Sequence, residues 1–457
     1  MKNEIQPNSH IYFIGIGGIS MSGLAEILKD RGCQVSGTDI KESDVTKHLE
    51  SLGITIHYGH RAENITDDID LVVYTAAIHP GNPELEAAKE KQIPLMDRAR
   101  LLGHIMEEYQ YSVAVAGTHG KTTTTSMVSE ILLEAEKDPT ITVGGILPAI
   151  HSNVKIGHSP YFVAEACEYF DSFLQFTPLV GVILNVEADH LDYFKTLDNI
   201  RRSFHAFAQR IPAGGLLVLN ASIAHPEELE ENLHCSVETF GLKENACWQA
   251  RNIVHEPNGK NSFDVYYQGE FYTSVHLDIP GKHNITNALA AVASAHFLDI
   301  PAEVCARGLS HFTGVNRRFQ RKGEKRGIVV IDDYAHHPTE IMATLSAARN
   351  VRHNKLWCVF QPHTYSRTKN LFDEFGRAFG DADEIIVADI YAARETDDGT
   401  ISAAMLAERI VKEGGNARYV GDFAAIRQHL ETHCRTGDLL LTVGAGDVYK
   451  IGEEFLK

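Results

Sequence analysis

Short β-branched and aliphatic runs alternate along this chain with stretches whose apolar positions recur at helical spacing. That is the pattern of parallel sheets covered by helices, and it predicts an α/β protein. A first cycle places strands at Ile11 to Gly15, Gln34 to Gly37, Ile54 to His57 and Leu71 to Thr75, and closes near Glu107 or Glu108. A second begins with Ser112 to Ala116 and continues through Tyr161 to Glu165 and Val180 to Leu184. It loosens from about Cys235 to Ile279, where Phe263 to Tyr267 and Phe271 to His276 read as hairpin strands around Gln268-Gly269, before a helix from about Asn284 to Phe297. A third cycle runs through Gly327 to Asp332, Lys355 to Phe360, Glu384 to Ala388 and Asp438 to Val443.

The 457 residues agree with three units at roughly 150 residues each. An apolar share of 44% and a charged share of 23% describe an ordinary globular protein. With 42 Lys plus Arg against 61 Asp plus Glu, the net charge of −19 argues against a general nucleic-acid binder, so anions must be met in local basic pockets or through a metal. Between the second and third cycles, Arg317, Arg318, Arg321, Lys322, Lys325 and Arg326 surround the single acid Glu324, a run that reads as a solvated linker or a functional patch. No apolar stretch approaches a membrane span and Met1 to His10 lacks a signal-peptide core, so the expected location is the cytoplasm. The seven cysteines form no C-x-x-C pair and are expected to be free thiols.

The strongest local signal is Val113 to Thr124, an apolar strand entering Gly117-Thr-His-Gly-Lys-Thr-Thr123 and then a helix. Glycines let backbone N–H groups approach phosphate oxygens, the helix N-terminus favours negative charge, Lys121 neutralises the β/γ-phosphates, and Thr122 offers a hydroxyl to Mg²⁺. Val115 stands where the phosphate-loop pattern G-x-x-x-x-G-K-[ST] has its first glycine. Gly15, Gly17 and Gly18 open a weaker, dinucleotide-like turn with Ser20 at its sixth position, and Asp39 follows the second strand where a ribose-binding acid is expected. Two phosphate-binding turns suggest two nucleotide-like ligands, one of them hydrolysed. Glu165 and the segment Asn185 to Asp192 arrive at the same sheet edge as Thr122, which makes Glu165 and His190 candidate metal ligands beside a triphosphate. A structural histidine is the alternative for His190.

These motifs, with Gly281-Lys-His-Asn284, Asn287, Arg317-Arg-Phe319, Asp332-Asp-Tyr-Ala-His-His-Pro338, Phe360-Gln-Pro-His363 and Tyr365-Ser-Arg-Thr368, resemble those of the Mur ligases along essentially the whole chain. These are ATP-dependent amide-forming enzymes of peptidoglycan synthesis. The resemblance implies a Rossmann-like UDP-sugar domain (1–108), a central P-loop ATPase-type domain with a mostly parallel sheet and a small antiparallel part (109–320), and a Rossmann-like amino-acid domain (321–457). It implies ligation of L-alanine to UDP-N-acetylmuramate through an acyl phosphate, with ATP and Mg²⁺, by a monomer or homodimer without nucleic-acid or membrane partners. Carried over residue by residue, Gly117, Thr118, His119, Gly120, Lys121, Thr122 and Thr123 cradle ATP, Asn284 and Asn287 meet the nucleoside, and Arg318 is a hinge or phosphate contact. Thr122 and Glu165 hold one Mg²⁺ and His190 helps hold a second. Gly15, Gly17, Gly18 and Asp39 serve the UDP-sugar. Tyr334, His336, His363 and Arg367 surround the amino acid and reacting carboxylate, so that Lys121, His190, His336, His363 and Arg367 form the catalytic set.

Some positions depart from the family. His205 stands where several relatives carry a carbamylated lysine, and Thr364 where an arginine is common. Glu168 to Phe176 lacks the signature of the recycling ligase that adds an intact tripeptide, the alternative within the family. A nicotinamide oxidoreductase is the alternative outside it, supported only by the first loop and Asp39. The division into two nucleotide sites predicts that Lys121→Ala abolishes ligation yet leaves UDP-sugar binding, measured by calorimetry, nearly intact. Loss of both would contradict it.

Overall fold

The computed structural model describes residues 5–75, 78–79, 81–256, 259–393 and 395–457. Each cycle of the sequence forms its own sheet. The first holds β1 (His10–Ile14), β2 (Gln34–Asp39), β3 (Thr55–Tyr58), β4 (Leu71–Tyr74) and β5 (Leu95–Asp97), all parallel in the order β3-β2-β1-β4-β5. The turn after β1 therefore lies where the strand order reverses, the usual ligand crevice of such sheets.

The second sheet comprises β6 (Tyr111–Ala116), β7 (Thr140–Leu147), β8 (Ser152–Lys155), β9 (Tyr161–Glu165), β10 (Val180–Ile183), β11 (Leu216–Asn220), β12 (Ser236–Gly241), β13 (Trp248–His255), β14 (Asn261–Tyr267) and β15 (Glu270–Leu277). Its order is β15-β14-β13-β12-β11-β10-β6-β9-β7-β8, antiparallel only at β7/β8 and in the meander β13-β14-β15. The expected hairpin around Gln268-Gly269 is β14/β15. The strand that feeds the phosphate loop, β6, lies between β9 and β10, so both acid-bearing segments leave the same edge beside it. The helices Lys121–Glu134 and Lys282–Phe297 bury their apolar faces on one side of this sheet.

The third sheet is β16 (Gln320–Lys325), β17 (Ile328–Asp333), β18 (Leu356–Phe360), β19 (Glu384–Val387), β20 (Ala417–Tyr419) and β21 (Leu439–Val443), ordered β16-β17-β21-β18-β19-β20. Much of the cationic run expected as a linker is thus the edge strand β16, antiparallel to β17. Its charges face water and discourage pairing with another chain. Among the described residues, no helix is long and apolar enough to cross a membrane.

The joints between the three units differ in chemistry. One apolar cluster runs from Ile11, Leu24 and Met106 in the first unit to Phe162, Phe173 and Phe204 in the second. The third unit has separate clusters on its two sheet faces. At the first joint the helix Arg98–Met106 approaches the backbone after β9 so closely that a Cβ on Gly103 would lie 2.2 Å from the Gln175 carbonyl oxygen. Gly103→Ala is therefore expected to destabilise the protein by roughly 1–3 kcal/mol, as overpacking does in tight cores, and urea denaturation should show it. An unchanged midpoint would show that this joint can yield.

Candidate active site

The phosphate loop turns on Gly120, which caps the helix Lys121–Glu134 in a left-handed conformation (φ 83°) open to glycine at little cost. The Asn185 side chain holds the loop from inside the sheet, accepting from the His119 N–H (2.8 Å) and donating to the His119 carbonyl (3.1 Å). Lys121 is half-buried. Its Nζ donates to the carbonyls of Gly117 (2.5 Å) and Thr118 (3.2 Å) and to the Glu168 carboxylate (2.9 and 3.2 Å). Burial works against its charge, but Glu168 outweighs burial and holds the ammonium above the ordinary lysine range.

Glu168 also faces His190, whose Nε2 is 4.0 Å from it and 3.7 Å from Asp189. The His190 ring stacks on Tyr169 at 4.2 Å. Burial lowers its pKa, although Asp189 and Glu168 oppose that shift. Next to this group, Phe170 and Asp171 are both left-handed (φ 54° each), which costs about 1–2 kcal/mol per residue. Asp171 accepts from Tyr193 Oη (2.5 Å) and from Ser203 Oγ, fixing that turn.

Thr122 and Glu165 each lie against a neighbouring glycine of the Gly144-Gly145 segment of β7. A Cβ on Gly144 would lie 2.9 Å from both Glu165 carboxylate oxygens, and one on Gly145 would lie 3.5 Å from Thr122 Cγ2. Glu165 Oε1 accepts from the Gly144 N–H (2.5 Å). A hydroxyl and a carboxylate are the hard oxygen donors that Mg²⁺ prefers, so these two residues fit that ion. His205 rests against the Leu229 carbonyl at 3.4 Å.

The seam between the second and third units contains two clefts. One of about 270 Å³ is lined by His119, Gly120, Thr123, Asn284, Asn287 and Arg318, among others, and gathers most of the expected nucleotide contacts. Asn284 and Asn287 stand a turn apart on one helix, and Asn287 Nδ2 donates to Asn284 Oδ1 (3.2 Å). The second cleft, about 500 Å³, is bounded by Asp189, His190, His363, Thr364, Arg367 and Glu395 with others. One segment walls both, since Glu187 borders the first and Ala188 to Asp192 the second.

In the second cleft, Arg367 Nη1 donates to His363 Nδ1 (3.2 Å), which leaves the remaining ring proton on Nε2 of the neutral imidazole. Burial and the Arg367 charge lower His363 to about 4. Burial likewise lowers His336 to about 4 against the pull of Glu340. Both rings are therefore neutral near pH 7, and they lie 5.9 Å apart. Tyr334 carries the Arg317 and Arg318 guanidinium groups over its ring at 4.9 and 5.3 Å. Arg367 Nε is 3.2 Å from Asp189, a carboxylate that Arg367 and His190 keep below its usual range despite burial.

In the first unit, Asp39 accepts from the N–H groups of Gly17 (2.9 Å) and Ile40 (2.7 Å). The Gly15 and Ile16 N–H groups donate to the Thr38 carbonyl, both at 2.8 Å, and Gly18 precedes the helix Ile19–Asp30. A smaller cleft between the first and second units is lined by Ser20, Arg98, Glu165 and Cys167 among others, with Arg98 donating to Ser20 Oγ (2.8 Å).

Glu168, Glu187 and Asp189 lie within motif segments that gave them no role, and Glu340 lies outside every motif, yet all four stand at the two clefts or the phosphate loop. Glu168 lies 47 residues from Lys121 and Asp189 lies 178 from Arg367, separations at which only the fold reveals a partner. Among the described residues, His119, Glu187 and His337 present ligand atoms within 4.8 Å of one another. His337 is committed to the backbone, however, with Nδ1 accepting from Thr339 N–H (3.4 Å) and Nε2 donating to the Ala188 carbonyl (3.2 Å), which leaves no lone pair for a metal.

Comparison with known proteins follows the same three units. Residues 10–110 match the Mur ligase family, catalytic domain, residues 115–295 the Mur ligase middle domain, and residues 317–446 the Mur ligase, glutamate ligase domain. The chain is 52% identical over 450 residues to the UDP-N-acetylmuramate--L-alanine ligase of Clostridium novyi, covering 98% of each. It is similar to the solved UDP-N-acetylmuramate-alanine ligase of Thermotoga maritima, with a TM-score of 0.82, 32% identity and 98% of each chain covered. A murein peptide ligase of Psychrobacter arcticus shares the fold with a TM-score of 0.71 at 24% identity, over 98% of each chain.

Burial alone would depress His119, but Glu340 and Glu187 raise it to about 9 from an ordinary 6.5. Its charge therefore stabilises the fold fully below about pH 6.5, and that contribution is lost as pH rises through about 9. Denaturation of the parent and of His119→Ala should give a stability difference that shrinks by roughly 1–3 kcal/mol over this interval. A difference independent of pH would contradict the charge assigned to the ring.

Proposed function

The chain belongs to the Mur ligase family, and on that premise we propose that it is the ATP-dependent ligase that joins L-alanine to the carboxylate of UDP-N-acetylmuramate in peptidoglycan precursor synthesis. The observation that carries this reading is the shared wall Glu187 to Asp192, which sets the phosphate-loop cleft against a cleft lined by neutral imidazoles and an arginine. The reaction needs both. A free carboxylate is a poor electrophile, so one of its oxygens first takes the γ-phosphoryl group of ATP, with ADP leaving. The L-alanine nitrogen, as free amine, then attacks the acyl carbon, phosphate departs, and the nitrogen loses a proton as the amide forms.

In this proposal, residues 1–108 take the UDP-sugar, 109–320 take ATP, and 321–457 take L-alanine. Gly117 to Thr123 hold the phosphates, and Asn284, Asn287 and Arg318 hold the nucleoside end. Lys121 stays cationic and offsets charge on the transferred group. Thr122 and Glu165 would hold Mg²⁺, with His190 assisting at a second position. A divalent cation there supplies positive charge next to the phosphoryl oxygens. His363, with its proton on Nε2, and Arg367 orient the amino acid, and Tyr334 and His336 border them. Buried neutral histidines suit amide formation because they leave a lone pair or a proton available near the attacking nitrogen. Closure of the third unit over the second keeps water from the acyl phosphate. Gly15, Gly17, Gly18 and Asp39 shape the turn against which the UDP-sugar would lie, and a cytoplasmic location, where ATP is supplied, completes the reading.

The tripeptide-adding alternative is not favoured, because the relatives at 52% identity carry the L-alanine name. The nicotinamide reading is not favoured either, because Mur ligase family models match all three units. Phosphate release should require ATP, UDP-N-acetylmuramate and L-alanine together. Release with the intact tripeptide but not with L-alanine would overturn the assignment.

A further inference from the structure

The backbone of His119 belongs to the phosphate loop, but its side chain leaves the loop. The ring lies between two carboxylates from different units, with Nε2 3.4 Å from Glu187 and Nδ1 3.3 Å from Glu340. Neither contact is a well-aligned hydrogen bond, and Nε2 is buried without one, so the pairing is electrostatic. Glu340 in turn accepts from the backbone N–H groups of His336 (2.9 Å) and His337 (3.2 Å), capping the helix Pro338–Arg349. Thr339 Oγ1 donates to Glu187 (2.7 Å) across the same seam. A continuous line of contacts thus leads from the loop, through one imidazole, to the amide of the residue whose ring faces His363 in the second cleft.

We infer that His119 is a positioning residue that couples the phosphate loop to the amino-acid cleft. What the two clefts bind rests on the ligase reading above, whereas the link itself belongs to the folded chain. Its physical basis is the separateness of the third unit's cores, which leaves directional polar contacts to set its angle here. The imidazolium meets both carboxylates only when the two units are closed together. A nucleotide that orders the loop fixes where His119 sits, which favours Glu340 in its capping position and with it the placement of His336. By linkage, L-alanine must strengthen nucleotide binding by the same factor. The other groups facing this pair are His337 at 4.6 Å between ring centroids, Arg318 at 3.7 Å and His336 at 3.4 Å from Glu340, and His283 on the wall of the first cleft. Because Arg318 still faces Glu340 and the cap is backbone-directed, removal of the His119 ring leaves a foldable chain.

The test compares the full-length parent with His119→Ala, Glu340→Gln and the double variant, since glutamine keeps the cap acceptor and removes the charge. Without ligands, His119→Ala should show a larger radius of gyration in solution scattering and faster hydrogen exchange at the His336 and His337 amides. At saturating ATP, KM for L-alanine in phosphate release should rise about tenfold, a coupling of ordinary allosteric size, while ATP affinity measured by calorimetry without L-alanine changes by less than about threefold. The double variant should be no worse than His119→Ala alone, because both remove one link. A rise in KM for ATP alone, with scattering and exchange unchanged, would make His119 a nucleotide contact and overturn the inference, as would additive effects in the double variant. A parent inactive with L-alanine would overturn the ligase reading instead, and the ligand-free measurements would still decide the link.

Discussion

A half-buried ammonium governs the architecture of this site. Lys121 sits under the phosphate loop, mostly withdrawn from water, and a charge in that position is costly unless fixed partners match it. Two partners are carbonyls of the loop itself, which therefore has to curl back over its own lysine through Gly120. The third is Glu168, carried to the loop by the segment after β9. Two consecutive left-handed residues, Phe170 and Asp171, turn the chain directly after Glu168, and Asp171 is locked there against Tyr193 and Ser203. The strain is tolerated because the surrounding contacts leave no other path. His190 then meets the second face of Glu168, so the ordering of one cation spreads to the edge of the neighbouring cleft.

The same economy of charge explains how a strongly acidic chain presents itself to anionic nucleotides. Acidic side chains near the loop are not free to repel phosphate. Glu168 is paired with Lys121, Asp189 with Arg367, Glu187 and Glu340 with His119, and Glu340 also with Arg318. Elsewhere in the seam burial keeps His336 and His363 neutral, so these rings add no net charge. Backbone N–H groups and Lys121 therefore dominate the field at the loop, irrespective of the net charge of the chain.

The two joints serve different ends for a physical reason. Apolar packing is non-directional and extensive, and the core shared by the first two units resists relative motion. Ion pairs and hydrogen bonds depend steeply on geometry and exchange readily with water, so the seam to the third unit can part and re-form without exposing a core. In the proposed reaction, substrates that must enter separately and react out of water call for such a joint at the two clefts of that seam.

The sequence by itself determined the three α/β cycles, because strands buried on both faces, such as β6, β10, β18 and β21, are continuous apolar runs that no surface segment imitates. It also determined the phosphate loop, whose glycines, lysine and threonines act on one another within a few residues. Two strands with a wet face escaped it. Ser236–Gly241 is half polar, and Gln320–Lys325 has the composition of a linker because a charged edge strand and a solvated linker satisfy the same solvent. Which acids matter was decided only by the tertiary structure. Glu168, Asp189, Glu187 and Glu340 had no role that the sequence alone assigned, and they became part of the site because folding set each beside a cation from a distant segment or another unit.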